Sequence, residues 1–230
     1  MHILYSVFIY PFEWSFLKLL LLFYNVTGSY GISTIILSLL IGFTISPLAK
    51  KVLKITEKSK QKKIELQPYV KKIKEMGLKR AKRLEMVDSL YRQCGYNPLS
   101  ELLGIIPVLM QLPLLLGMYK MVSHNADLFV GHSFFIISDF SKPDAILWGV
   151  NLLPILMTVI NIIATFIMPN VTRSELIQAI FLAFMFLILL YPCASILLFY
   201  WTLNNLFMLL RMTYFNITKI HKNTTKAKAA

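Results

Sequence analysis

The sequence predicts an all-α polytopic membrane protein with five transmembrane helices, an N-terminal interfacial helix and a cytoplasmic helical hairpin. Three observations predict it. The 230 residues are 57% hydrophobic and only 15% charged, less charge than a soluble domain of this size carries. The charges are segregated: residues 50–92 hold fifteen Lys and Arg against five acids, and 212–230 add four Lys and no acid. The apolar stretches between them are nearly free of charge and long enough to cross a hydrocarbon core. A net charge of +13 would also suit a nucleic-acid binder. Basic loops on the cytoplasmic side of a membrane account for it better, so no DNA partner is expected.

The elements follow in order. In residues 1–29, Pro11, Glu13 and Lys18 interrupt an apolar run in which Leu17, Leu20, Leu21 and Tyr24 recur at helical spacing. This reads as an amphipathic helix lying on the membrane, with a full span as the alternative. The same stretch lacks the basic start and small-residue cleavage site of a signal peptide. The first span is 30–49, opened by Gly31 and closed at the cytoplasmic face by Pro47, Lys50 and Lys51. Its Ser33, Ser38, Thr44 and Ser46 are small hydroxyls that can satisfy their own backbone where helices pack closely.

Residues 50–97 form the basic hairpin. Leu66, Tyr69, Val70, Ile73 and Met76 trace one apolar stripe, and Leu84, Val87 and Tyr91 a second. Gly77 is the expected break between them, and Pro68 is expected to begin or kink the first helix. The second span, 98–122, is entered through Asn97-Pro98, and Pro107 and Pro113 bracket Gln111. An outer loop, 123–145, carries a net charge of −2 against +10 for 50–92, which orients the chain with this loop outside. The third span is 146–168, followed by a cytoplasmic turn at 169–175. The fourth span is 176–190, followed by an outer turn at 191–195, and the fifth is 196–212. The basic tail, 213–230, is polar and expected to be disordered. Five spans put the N-terminus outside and the C-terminus in the cytoplasm.

Three polar side chains fall at membrane depth: Gln111, Asn204 and Asn205. Polar groups in hydrocarbon are costly and usually face protein or a water-filled cavity. Asn204 and Asn161 read more simply as helix–helix contacts. No P-loop, HExxH or GxSxG motif occurs, and four His and two Cys show neither metal-ligand spacing nor a disulfide framework. The pattern therefore points to polypeptide handling inside the bilayer, with no catalytic residue, cofactor, metal or small-molecule substrate.

Five segments carry a family resemblance: YGISTIILSLLIGFTISPL at 30–48, LQPYVKKIKE at 66–75, LYRQCGYNPL at 90–99, PVLMQLPLLLGMY at 107–119 and FYWTLNNL at 199–206. In order and spacing they resemble the YidC family of membrane protein insertases, in its short form without a large periplasmic domain. The resemblance implies five helices around a polar groove, open to the cytoplasm and to lipid and closed on the outer side. Gln111, Trp201 and Asn205 would line it, with Ser195 and Leu198 continuing that face and Ser38 and Ser46 offering further hydrogen bonds. It also implies hairpin residues Lys71, Lys72, Lys74, Lys79 and Arg80 facing clients or the ribosome. The expected partners are newly made membrane proteins, the ribosome, the Sec translocase and membrane lipids, in a bacterial plasma (inner) membrane.

One departure stands out. The family's first span usually has an arginine five residues before its cytoplasmic proline. Here that proline is Pro47 and the position is Gly42. The expected function is an insertase and membrane chaperone that takes client segments into the groove and releases their apolar helices into lipid. A paralogue dedicated to one client is the alternative that Gly42 raises. A small-solute transporter is the remaining one, although inverted repeats are absent.

Overall fold

The computed structural model describes residues 5–99, 106–168 and 171–228. After a π-helical turn, Tyr5–Ile9, seven α-helices follow: α1 Tyr10–Thr27, α2 Tyr30–Glu75, α3 Arg80–Gln93, α4 Ile106–His124, α5 Leu152–Ile167, α6 Arg173–Leu190 and α7 Ser195–Lys228. Among the described residues, four helical segments are long and apolar enough to cross a membrane: Tyr5–Thr27, Tyr30–Glu75, Arg173–Leu190 and Ser195–Tyr214. Helix α5 is apolar but has 16 residues, about 24 Å at 1.5 Å per residue.

Local chemistry sets the helix ends. Pro11 sits in the first turn of α1, where its missing N–H is no loss. Gly28 ends α1 with φ 66°, and its N–H donates to Tyr24 O at 2.8 Å; a left-handed residue here favours glycine. Thr172 and Glu175 form a reciprocal capping box at the start of α6. Asp144 caps α5, its Oδ2 accepting from the N–H groups of Leu152 (2.6 Å) and Leu153 (3.1 Å).

Several boundaries differ from the sequence reading. Helix α2 runs through Pro47 and Pro68 for 46 residues. A proline removes one hydrogen bond and bends a helix, but it does not end one whose neighbours all favour the helix. At about 70 Å, α2 is more than twice the thickness of a hydrocarbon core, so only part of it can span. The stretch expected to open the third span, 146–150, is a turn, with Leu147 and Val150 bridged and Gly149 at φ 87°. The tail expected to be disordered is helical as far as Lys228, because 195–230 contains no Gly or Pro to break it. Parts of the second span (100–105), the cytoplasmic turn (169–170) and the tail (229–230) lie outside the described residues.

The chain divides into two compact units. One is Ile45–Gln111; the other joins Met1–Thr44 to Leu112–Ala230.

In the first unit α2 and α3 reverse at Gly77 (φ 61°), and Lys62 Nζ donates to Gly95 O at 3.1 Å. Positions 62 and 95 are nearly equidistant from the turn, so the chain returns alongside itself. In this unit the buried positions of α2 are Val52, Ser59, Leu66 and Ile73, a strict seven-residue interval that keeps one narrow seam inward. The broader expected stripe is therefore only partly inward: Leu66 and Ile73 are buried, whereas Tyr69 and Met76 are exposed. On α3, Val87 and Tyr91 are half-buried and Leu84 is exposed.

In the second unit α5 packs on both α6 and α7. Phe16 and Leu20 of α1, Leu37 of α2, Leu115 and Met118 of α4, Met157 of α5 and Leu197 of α7 share one core. The 125–151 connection covers one end of it. Ser195 N–H donates to Lys142 O (2.7 Å), Ile196 N–H to Phe140 O (3.2 Å), and Ser195 Oγ to Asp139 O (2.9 Å). The first orphan donors of α7 thus find acceptors in this connection. Asn151 holds its far end, donating from Nδ2 to Tyr191 O at 2.8 Å.

Candidate functional site

Helices α2 and α7 meet within the second unit. The ring of Phe134, from the connection that caps α7, lies against Gly31 at the start of α2. Eleven residues further along, Gly42 meets Phe207 of α7: a Cβ at Gly42 would lie 2.5 Å from Phe207 Cδ1. The Phe207 ring also packs edge-on against Phe43, with centroids 5.2 Å apart. Gly42 lies about 16 Å along α2 from Gly31, half of a hydrocarbon core. The position expected to hold an arginine is thus a glycine covered by an aromatic ring.

Near this crossing are two buried polar groups. Ser38 stands one turn before Gly42 and Asn205 two residues before Phe207. Asn205 is 1% exposed, and among the described residues its Nδ2 has no hydrogen-bond partner; buried Ser38 Oγ likewise has none among them. A buried donor without a partner is costly, so most such groups in folded proteins are satisfied. Asn204, next in the chain, is satisfied: its Nδ2 donates to Tyr200 O at 2.8 Å. It bonds its own helix rather than a neighbouring one. Trp201 is buried in the core, with its ring centroid 5.7 Å from that of Phe186. Ser195 and Leu198, expected to extend the same face, are buried, and Ser195 is committed to Asp139.

The structure groups the candidate residues unequally. Ser38, Gly42, Trp201 and Asn205 belong to one compact unit, while Ser46 and Gln111, both half-buried, belong to the other. Lys71, Lys72, Lys74, Lys79 and Arg80 are all exposed. Lys71 Nζ is 3.9 Å from Glu75, a surface pair of little energetic weight.

Sequence reasoning missed two features. Phe207 is one; a glycine in an apolar helix signals a close approach, but not by which residue. The other is Glu13, which the sequence presents only as an interruption. Its side chain is 10% exposed, with Oε1 2.6 Å from His124 Nδ1 and Oε2 accepting from Tyr5 O–H. Gly117 makes room for this contact, since a Cβ there would lie 2.6 Å from Phe12 Cβ. In the connection, Ser141 Oγ and N–H donate to Asp139 Oδ1 at 2.7 and 2.9 Å. The Ser141 hydroxyl is the main cause holding the Asp139 carboxyl below its ordinary range. Burial pushes the Cys193 thiol up; Cys193 and Cys94 are both free.

Apolar helices of spanning length, with polar side chains buried part-way along them, define a polytopic helical membrane protein whose interior is not wholly apolar. The particular class follows from comparison. The model of the 60Kd inner membrane protein family matches residues 22–223, and the chain belongs to that family. It is 31% identical over 217 residues to membrane protein insertase YidC 1 of Halalkalibacterium halodurans, covering 91% of this chain and 77% of that one. It is 30% identical to the membrane protein insertase YidC of Treponema denticola, covering 92% of this chain but 38% of the relative. A crystal structure of an active YidC insertase with its first transmembrane domain resolved matches with a TM-score of 0.58 and 25% identity, over 90% of this chain and 45% of that one. The chain thus spans less than half the length of the last two.

Proposed function

We propose that this chain is a membrane protein insertase and chaperone. It takes polar client segments part-way across the membrane and releases their apolar helices into lipid. The observation that carries the proposal, beside the family, is the unsatisfied pair at mid-depth, Ser38 Oγ and Asn205 Nδ2. Donors of this kind can bind water or the backbone carbonyls of a passing chain, which hydrocarbon cannot satisfy. A charged residue at the bilayer centre costs about 2.5–3.5 kcal/mol on insertion scales, so shortening the dry path lowers a barrier of that size. No bond is made or broken in this task. Gln111, Ser46 and Trp201 are proposed to border the path. The exposed hairpin cations are proposed to meet emerging chains, the ribosome or anionic headgroups, and the Sec translocase is a proposed partner.

The proposed topology has five spans across the bacterial inner membrane, α1 lying in the interface, the N-terminus outside and the C-terminus in the cytoplasm. Labelling from outside should modify a cysteine introduced at Ser133 and spare one at Lys72; the opposite pattern refutes it. A second reading, a paralogue dedicated to one client, is favoured by Phe207 covering Gly42. Depleting a host's main insertase while supplying this chain separates the two. Rescue of growth and of several unrelated clients supports the general insertase. Stable expression without rescue supports the dedicated one.

A further inference from the structure

The 125–151 connection has two turn tips whose exposed residues are unusual for a loop in water. Three of its polar groups are turned inward, while Asp127 and Lys142 stay exposed: Asp144 is 3% exposed and caps α5, Asn151 is buried against Tyr191, and Asp139 is bonded to Ser141. Phe129, Ile137 and Phe140 are buried in the core, but the two turn tips face outward. Phe135 is 96% exposed and Trp148 97%, flanked by exposed Ile136 and Leu147. Each aromatic opens a two-residue turn. Phe134 and Ile137 exchange both backbone hydrogen bonds at 2.9 Å, and Leu147 and Val150 do so at 2.8 and 3.3 Å. Phe135 has φ 56° and Trp148 φ 49°, a left-handed conformation that bulky residues rarely adopt. Turns of this kind normally hold Gly, Asn or Asp in water. Here they hold Phe-Ile and Trp-Gly, and no charge lies in 133–138 or 145–150.

Both turns leave the fold at the level of helix ends. Trp148 lies four residues before α5 begins. Phe134, beside the first tip, packs on Gly31, the second residue of α2. The ends of spanning helices lie near the headgroups, where Trp and other aromatics are enriched because one side of the ring is apolar and its N–H is wet.

We propose that Phe135 and Trp148 are membrane-seated tips. They insert into the headgroup–acyl boundary of the leaflet on this connection's own side and fix the depth of the bundle beneath it. The occupant is lipid rather than a protein partner, because the exposed apolar surface is confined to two separate uncharged aromatic tips that lie where the spans end. Since 139–142 also hold the first turn of α7, seating the tips sets how far α7, and Asn205 with it, lies below the surface. The idea needs only that the chain spans a membrane, not that it inserts clients.

The test uses the full chain in phosphatidylcholine–phosphatidylglycerol vesicles. The Trp148 signal is isolated as the difference between wild type and Trp148→Phe. We expect blue-shifted emission, stronger quenching by lipids brominated near the headgroup than by lipids brominated deep in the chain, and several-fold weaker acrylamide quenching than for free indole. An independent probe avoids the other tryptophans: a nitroxide on Phe135→Cys, with Cys94 and Cys193 replaced by Ser, should collide more with oxygen than with a water-soluble nickel chelate. Emission like that of indole in water, or a nitroxide reached mainly by nickel, overturns the proposal and leaves the tips standing in water.

Discussion

The contact between Gly42 and Phe207 gives a prediction whose size can be worked from the structure. An alanine Cβ at position 42 would lie 2.5 Å from Phe207 Cδ1 and 2.7 Å from Cε1. Carbon atoms sit comfortably at about 3.5–4.0 Å, so the ring must move by roughly 1 Å or more. It is not free to do so without loss, because Phe43 packs against it. Overpacking costs about 1–3 kcal/mol. Against this, alanine is better than glycine in a helix by about 0.8–1.0 kcal/mol. Gly42→Ala alone should therefore range from neutral to about 2 kcal/mol destabilising. With Phe207→Ala the obstruction is gone, and the same change should stabilise by about 1 kcal/mol. The coupling between the two sites is then about 1–3 kcal/mol.

Reversible unfolding of the four proteins in mixed micelles measures that coupling. If Gly42→Ala stabilises both backgrounds equally, so that the coupling is below the ~0.5 kcal/mol at which sites act independently, Phe207 does not cover Gly42 and the argument fails. Gly42→Arg extends the test. Its guanidinium reaches solvent only if Phe207 swings aside, so Gly42→Arg should be rescued by Phe207→Ala more than Gly42→Leu is.

Other expectations follow from single contacts. His124→Ala leaves the buried Glu13 carboxylate with only Tyr5 and should loosen α1 by about 1–3 kcal/mol, towards the low end because His124 is half-exposed; faster proteolysis within Tyr10–Thr27 would report it, and unchanged cutting would count against the clasp. Asp139 titrates below its ordinary value of 3.8, so its stabilisation is present at neutral pH and lost as pH falls from about 4 through the lowered value. Asp139→Asn should accordingly lower the melting temperature at pH 7 and match wild type in acid; a gap that persists there refutes this sign. Asn151→Leu removes bonds to Ala145 and Tyr191 and should destabilise by about 1–3 kcal/mol in a thermal melt, whereas no change would show that the connection is held without it.

Much of the fold was legible in the sequence because membrane helices leave a composition signal that needs no long-range information. Charge segregation and apolar length marked the helical regions, and short segments such as 107–119 and 199–206 carried the family. What was not legible depends on partners distant in sequence. Pro47 read as a stop and Pro68 as a start or a kink, yet bending rather than breaking is decided by the residues around them. The turn at 146–150 was hidden inside an apolar run, and only Gly149 marked it. Phe207 over Gly42 and His124 beside Glu13 are contacts across 165 and 111 positions, which periodicity cannot pair. The polar residues at depth were visible, but which of them are satisfied was not.

Asn204 and Asn205 make that last distinction testable within one turn of helix. Neighbouring residues point about 100° apart, and here the two amides have opposite fates. Asn204 Nδ2 is spent on Tyr200 O of its own helix. Asn205 Nδ2 is buried with no partner among the described residues. Leucine shares the branched four-heavy-atom outline of asparagine, is larger, and has no polar atom. Asn204→Leu should change stability by less than about 1 kcal/mol, because a bond within the helix is lost together with the group that made it. Asn205→Leu should stabilise the resting protein by about 1–3 kcal/mol, because an orphan donor is removed. If that donor serves clients, Asn205→Leu should also impair insertion and rescue while Asn204→Leu does not. A stabilised Asn205→Leu with undiminished rescue would make Asn205 a packing defect and nothing more. A destabilised one would mean that its amide has a resident partner, such as an ordered water.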